Sequence, residues 1–207
     1  MNPHLDDWLE QQRQRNLRSH RRLLRFLDEG YRLCVPDYIN RPKTDLTSSK
    51  QEFRFHHGVP LSDLRTMVSW LLTHHPRPRR LATLIPRLWK RHGREDLTVA
   101  GLLLANLDPP TLGQDPWMAF IHLLKRTEPL LAVLEVAEEL VRGGHSVPDD
   151  AWILAAGRQS PAWHQYTVLF LSLRASTSEH LRAHIVDAPQ GGELYERIRQ
   201  RLLVSEG

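Results

Sequence analysis

The chain's 207 residues suffice for one domain, or one elongated array, with a real core. Hydrophobic residues make up 41% and charged residues 25%, the balance of a soluble globular chain, and no apolar run reaches the roughly 18 residues of a membrane span, which excludes an integral helical membrane protein. The net charge is +4, and of 28 basic side chains only Lys43, Lys50, Lys90 and Lys125 are lysines; the other 24 are arginines, whose planar forks match phosphate oxygens.

The N-terminus, "MNPHLDDWLEQQRQRNLRSHRRLL", lacks the apolar core of a signal peptide and is too acidic for a transit peptide, so a cytoplasmic location is expected. Residues 5–33 read as helix, with apolar positions at Leu5, Trp8, Leu9, Leu17, Leu23, Leu24 and Leu27 and acids leading bases, as suits the helix dipole. Gly30 is expected to perturb or end this helix. The run Arg13, Arg15, Arg18, Arg21, Arg22 and Arg25 lies on it, partly balanced by Asp6, Asp7 and Glu10. The single cysteine, Cys34 in "YRLCVPDY", cannot form an intramolecular disulfide or a Cys-rich zinc site, and no nucleophile motif surrounds it; it reads as a structural thiol.

Residues 36–58, rich in Pro, Asn, Ser, Thr and Asp, read as a linker loop. It ends in "FHHGVPLSDLR", a cluster with the look of an active site. The bland reading is a helix start: Gly58 for a tight turn, Pro60 in the first turn, Asp63 near the positive end. Ser62 and Asp63 diverge by about 100° on a helix and cannot act on one atom. His56 and His57 lack a third ligand, and His74 and His75 have no carboxylate at a metal-site offset, so no metal is expected.

From residue 60 onward, segments with helical apolar spacing alternate with Pro/Gly breaks, at about 60–74, 78–91, 94–106, 115–125, 127–142, 148–157, 161–175, 177–186 and 190–204. None alternates with period two, so the fold class is all-α. The short, similar helices, some apolar around most of their circumference ("TVAGLLLANL"), favour a stack of helix pairs over a closed bundle. The segment 78–91 is also the most basic: Arg77, Arg79, Arg80, Arg87, Lys90, Arg91 and Arg94 occur with no acid before Glu95. On one helix, Arg80, Arg87, Arg91 and Arg94 would share a broad face. With the N-terminal arginines, they point to a duplex nucleic-acid surface. Trp163, at the start of a helix after "RQSPA", is the tryptophan of the six best placed to face a groove.

In order, "FRFHHGVPLSDLR", "LIPRLWKRHGREDLTVAGLLL" and "SPAWHQYTVLFLSL" resemble the DNA alkylation repair family of helical-repeat glycosylases, the AlkD type, over roughly residues 50–185. The resemblance rests on Gly58, Val59, Leu64 and Arg65; on Leu88, Trp89, Glu95, Ala100 and Leu103; and on Ser160 and Trp163. It implies one domain over 1–207, with an N-terminal helical segment (1–35), the linker (36–58) and helical repeats (59–207). These would form a curved solenoid of stacked HEAT-like antiparallel helix pairs, an alpha-alpha superhelix whose basic concave face holds duplex DNA. The implied chemistry is hydrolysis of the N-glycosidic bond of N3- and N7-alkylpurines, with a carboxylate stabilising an oxocarbenium-like sugar between tryptophans.

The catalytic helix aligns with "EPLLAVLEVAEELV", where Leu130 replaces a tryptophan and Leu134 the catalytic aspartate; Glu135 is the substitute carboxylate. Trp163 matches the sugar-facing tryptophan, but His164, Gln165 and Tyr166 follow it in place of an Arg-Arg pair. The expectation is a monomer that needs no cofactor and binds duplex DNA, damaged or branched, with glycosylase chemistry weakened or lost. Its contacts would be Arg79, Arg80, Arg87, Lys90, Arg91, Arg94, Arg18 and Arg22. The alternatives are an active alkylpurine glycosylase using Glu135 and Trp163, and a protein-interaction scaffold.

Overall fold

The computed structural model describes residues 2–13, 17–35, 52–176 and 178–204, and the described residues are all-α. In chain order the helices are α1 (Pro3–Glu10), α2 (His20–Cys34), α3 (Leu61–His74), α4 (Pro78–Ala82), α5 (Ile85–Arg91), α6 (Arg94–Asn106), α7 (Pro109–Leu112), α8 (Pro116–Leu123), α9 (Leu130–Arg142), α10 (Asp150–Gly157), α11 (Pro161–Leu171), a 3-10 turn at Glu179–Leu181, α12 (Arg182–Val186) and α13 (Glu193–Val204). Polar side chains and prolines set many of the starts. Asn2, Ser19, Asp115, Asp149 and Ser160 each accept a backbone N–H of the first turn of α1, α2, α8, α10 and α11. Proline occupies an early position of α1, α4, α5, α7, α8 and α11, where its missing N–H costs nothing. No helix among the described residues is long and apolar enough to cross a membrane.

Two long helices expected from periodicity are broken. The segment 5–33 is α1 and α2, because Ser19 supplies a new N-cap inside it, its Oγ accepting the Arg22 N–H at 3.3 Å. Arg15 and residues 36–51 of the expected linker lie outside the described residues. The segment 78–91 is α4 and α5, separated at Thr83 and Leu84. Pro86 has no N–H to give the Ala82 carbonyl, so the ladder fails there. The single arginine face expected on one helix is therefore spread over three, α4, α5 and the start of α6. Gly30 does not end α2. It lies buried inside the helix, where a Cβ would meet the Met67 Cε at 2.2 Å, so it allows α2 to approach α3 closely. The break "DPPTLGQ" holds one extra helical turn, α7.

The core is built around α6. Residues Glu95 to Ala105 are buried on every side of it, as the circumferential apolar pattern anticipated. It lies against α3, α5 and α8 and makes its most extensive contact with α9. At Gly101 a Cβ would come 2.8 Å from the Val136 Cγ2, so this glycine sets the α6–α9 approach. The main contacts run serially, from α1 and α2 to α3, then α3 to α6, α6 to α9, α9 to α11 and α11 to α13. Short helices flank this row: α4 and α5 beside α6, α7 beside α8, α10 beside α11 and α12 beside α13.

Candidate functional site

The "FHHGV" turn has a structural purpose that its composition hid. Gly58 takes φ +82°, and the amides of His57, Gly58 and Val59 donate to one oxygen, Oε1 of Glu95, at 2.9, 2.8 and 3.3 Å. Glu95 is fully buried. Three converging N–H groups form a concavity that suits an anion, and the anion is the protein's own carboxylate. The chain before the turn is extended and pairs with the α5–α6 junction, Arg54 N–H to the His92 carbonyl at 2.9 Å and Arg94 N–H to the Phe55 carbonyl at 3.0 Å. Asp63 is buried too, accepting from Asn2 Nδ2 at 3.1 Å. Burial, and secondarily Asp63, push the Cys34 thiol up to about 12, the condition of an inert thiol.

The two arginine runs meet. An open groove is lined on one side by Arg21, Arg25 and Arg32 of α2, with Asp28 and Glu29 of the same helix, and on the other by Arg87 and Arg91 of α5. Ion pairs hold the walls in register: Arg91 Nη2 lies 2.5 Å from Asp28 Oδ1, and its Nε lies 2.7 Å from Asp96 Oδ2. Asp96 is fully buried and accepts from Tyr31 Oη at 3.1 Å. Burial pushes its carboxyl up to about 7, against the opposing pull of Arg91 and Tyr31. A second depression adjoins the groove, lined by Arg18, Arg77 and Arg80 with Leu17, His75 and Pro76. His20 lines the first groove and stands between the two: its Nε2 is 2.9 Å from Thr83 Oγ1, and burial, then the charges of Arg87 and Arg80, lower its pKa. None of Arg18, Arg21, Arg25, Arg32, Arg77, Arg80 and Arg87 has a carboxylate partner among the described residues.

Comparison of the chain with models of known protein families, with curated proteins and with solved structures finds no match.

The expected contact residues divide into two groups. Arg79, Arg87 and Lys90 are exposed on α4 and α5, Arg80 is half-exposed in the lining of the second depression, and Arg18 and Arg22 are exposed just before and in the first turn of α2. Arg91 and Arg94 are instead committed internally. Arg94 Nη2 donates to Glu135 Oε1 at 2.8 Å, and its Nη1 donates to the Val59 carbonyl at 3.3 Å. Arg21, Arg25 and Arg77 were named in the sequence only as members of the two basic runs, and Arg32 was missed. No periodicity tells that α2 faces α5.

The proposed catalytic pair is not brought together with open space. Both Glu135 oxygens are engaged, Oε1 by Arg94 and Oε2 by Thr98 Oγ1 at 3.1 Å, across the α6–α9 interface. Trp163 is 7% exposed and packs edge-on against Trp152 and Tyr166, with centroids 5.9 and 5.7 Å away. Tyr166 Oη in turn donates to the carbonyl of Glu128, a buried residue whose carboxylate also accepts Trp89 Nε1–H at 3.1 Å and the Lys125 N–H at 2.8 Å. No group of three His, Cys, Asp or Glu among the described residues could hold a metal ion.

Proposed function

We propose that this is a duplex DNA-binding protein of the AlkD-type, HEAT-like helical-repeat kind, which acts as a monomer and grips the phosphate backbone with the arginine strip on α2, α4 and α5. The observation that carries this reading is the convergence of two sequence-distant arginine runs on adjoining depressions, with seven guanidiniums there that have no carboxylate partner among the described residues. Guanidiniums not engaged by a carboxylate stay available for phosphate oxygens. The serial contacts from α3 through α6, α9 and α11 to α13, with a short helix beside most members, support the stacked-pair architecture. The engagement of both Glu135 oxygens and the burial of Trp163 support recognition without glycosidic hydrolysis.

Fluorescence anisotropy with a 20-mer duplex tests the reading. If the four groove arginines without a carboxylate partner, Arg21, Arg25, Arg32 and Arg87, meet phosphates, log K falls against log salt with a slope of about −4, and each of these four changed to glutamine reduces it by about 0.9. A flat salt response sinks the DNA reading and favours a protein-interaction scaffold. Release of 7-methylguanine or 3-methyladenine from methylated duplex, abolished by Glu135→Gln, would overturn the non-catalytic part.

A further inference from the structure

The depression formed by Arg18, Arg77 and Arg80 differs in kind from the groove on α2 and α5. The groove is the more open of the two and has Asp28 and Glu29 in its lining, while the described lining of the depression has three guanidiniums and no carboxylate. Its arginines come from two separate pieces of chain: Arg18, the residue before the α2 cap, and Arg77 and Arg80, the cap and first turn of α4. What links the two pieces is His75, a buried residue of the lining. His75 Nδ1 accepts the Arg77 N–H at 3.0 Å, so the ring's proton is on Nε2, which donates to the Leu17 carbonyl at 3.1 Å. The neutral imidazole thus staples the residues preceding Arg18 and Arg77 to each other. Burial holds it below the usual histidine range, so the staple adds no fourth charge.

We infer that this depression is a pocket for a terminal phosphate monoester, the phosphorylated end of a strand whose backbone lies along the groove on α2 and α5. The inference rests on the DNA-binding reading. A backbone diester carries one charge and two free oxygens. A terminal phosphate carries about −1.5 to −2 and three acceptor oxygens, a match for three forked donors. Arg80 connects the two regions, since it lines the pocket while its charge reaches His20 in the groove. A free phosphate or mononucleotide presents the same chemistry, and the test separates the two sources.

Anisotropy is measured with one duplex in three forms: 5′-phosphorylated, 3′-phosphorylated and hydroxyl-ended. One phosphorylated form is expected to bind roughly tenfold tighter than the hydroxyl form. Arg77→Gln and, independently, Arg18→Gln remove that preference and leave hydroxyl-end affinity within about twofold, whereas Arg87→Gln weakens all three forms equally. Both pocket arginines are exposed, so neither change threatens the fold. Equal affinity for the three duplexes, or a preference that survives both pocket variants, overturns the strand-end assignment; binding of the hydroxyl form then shows that the DNA reading itself stands. If no duplex binds, the DNA reading fails and inorganic phosphate decides the pocket. Thermal stabilisation beyond that of chloride at equal ionic strength, lost in Arg77→Gln, keeps a small-phosphate site, and its absence overturns the pocket as well.

Discussion

Replacing Glu135 with glutamine separates a structural carboxylate from a catalytic one. Its Oε1 lies 2.8 Å from Arg94 Nη2, and the two side chains are only 20% and 16% exposed. At about 4 Å between charge centres and an effective dielectric near 20, the gross attraction is about 4 kcal/mol. Desolvation of both ions offsets much of it, so a net coupling of about 1–2 kcal/mol is expected. Glu135→Gln keeps an acceptor for Thr98 but leaves Arg94 with only the Val59 carbonyl. The single change should therefore cost about 1–2 kcal/mol, a fall in Tm of roughly 2–8 °C for a domain of this size. Urea unfolding of the wild type, Glu135→Gln, Arg94→Gln and the double variant gives the coupling directly. Because the pair is largely covered, about 1 M NaCl should leave most of that coupling in place. A coupling below about 0.3 kcal/mol would refute the assignment, and so would an unchanged Tm for Glu135→Gln.

Glu95→Ala removes the acceptor of three backbone N–H groups and should cost about 3–5 kcal/mol by chemical denaturation, with Glu95→Gln costing less than half as much. Gly58→Ala, at φ +82°, should cost about 1–2 kcal/mol in the same assay. Asp96 has a folded pKa near 7, above its unfolded value, so the native state holds a proton that the unfolded chain releases; its contribution is full below about pH 4 and fades as pH rises through 7. Asp96→Asn should therefore flatten the pH dependence of stability between about pH 4 and 7, read from Tm across that range. Cys34 should resist a thiol reagent in the native state and react on unfolding, since burial raises its pKa to about 12.

Much of the helical organisation was legible because it depends on local chemistry. The span of α6 was readable at 94–106, since Gly93 and two first-turn acids mark its start and its apolar residues run around the helix. The breaks at Ser19 and Pro86 were also written in the sequence, but the apolar spacing continues across both, and periodicity outvoted the cap and the proline. The roles of the buried acids were not legible. Glu95 and Asp96 look like dipole-complementing residues at a helix N-terminus, yet one is the internal anion of a turn 36 to 38 residues earlier in the chain and the other anchors a groove arginine. Such pairings depend on tertiary placement. The same holds for the strip: its arginines were countable, but that α2 lies across from α5 follows from contacts such as Arg91 to Asp28.

The distribution of paired and unpaired arginines carries the functional case further than net charge can. The groove between α3, α6 and α9 also contains arginines, Arg65 and Arg142, but both close on one carboxylate oxygen, Glu139 Oε1, at 2.5 and 2.6 Å. Nearby, Arg94 closes on Glu135. That face neutralises itself, and a polyanion approaching it would have to displace existing ion pairs. Around the groove on α2 and α5, Arg91 is spent in this way and ties the two walls together, while Arg21, Arg25, Arg32 and Arg87 have no carboxylate partner among the described residues. A chain that is arginine-rich for compositional reasons alone has no cause to pair its arginines on one groove and leave them unpaired on another. The contrast implies that charge reversal on the two faces should differ in kind. Arg80→Glu or Arg87→Glu should reduce DNA affinity with little effect on stability. Arg65→Glu should destabilise the fold, by setting like charges against Glu139, with little effect on affinity once the protein is folded.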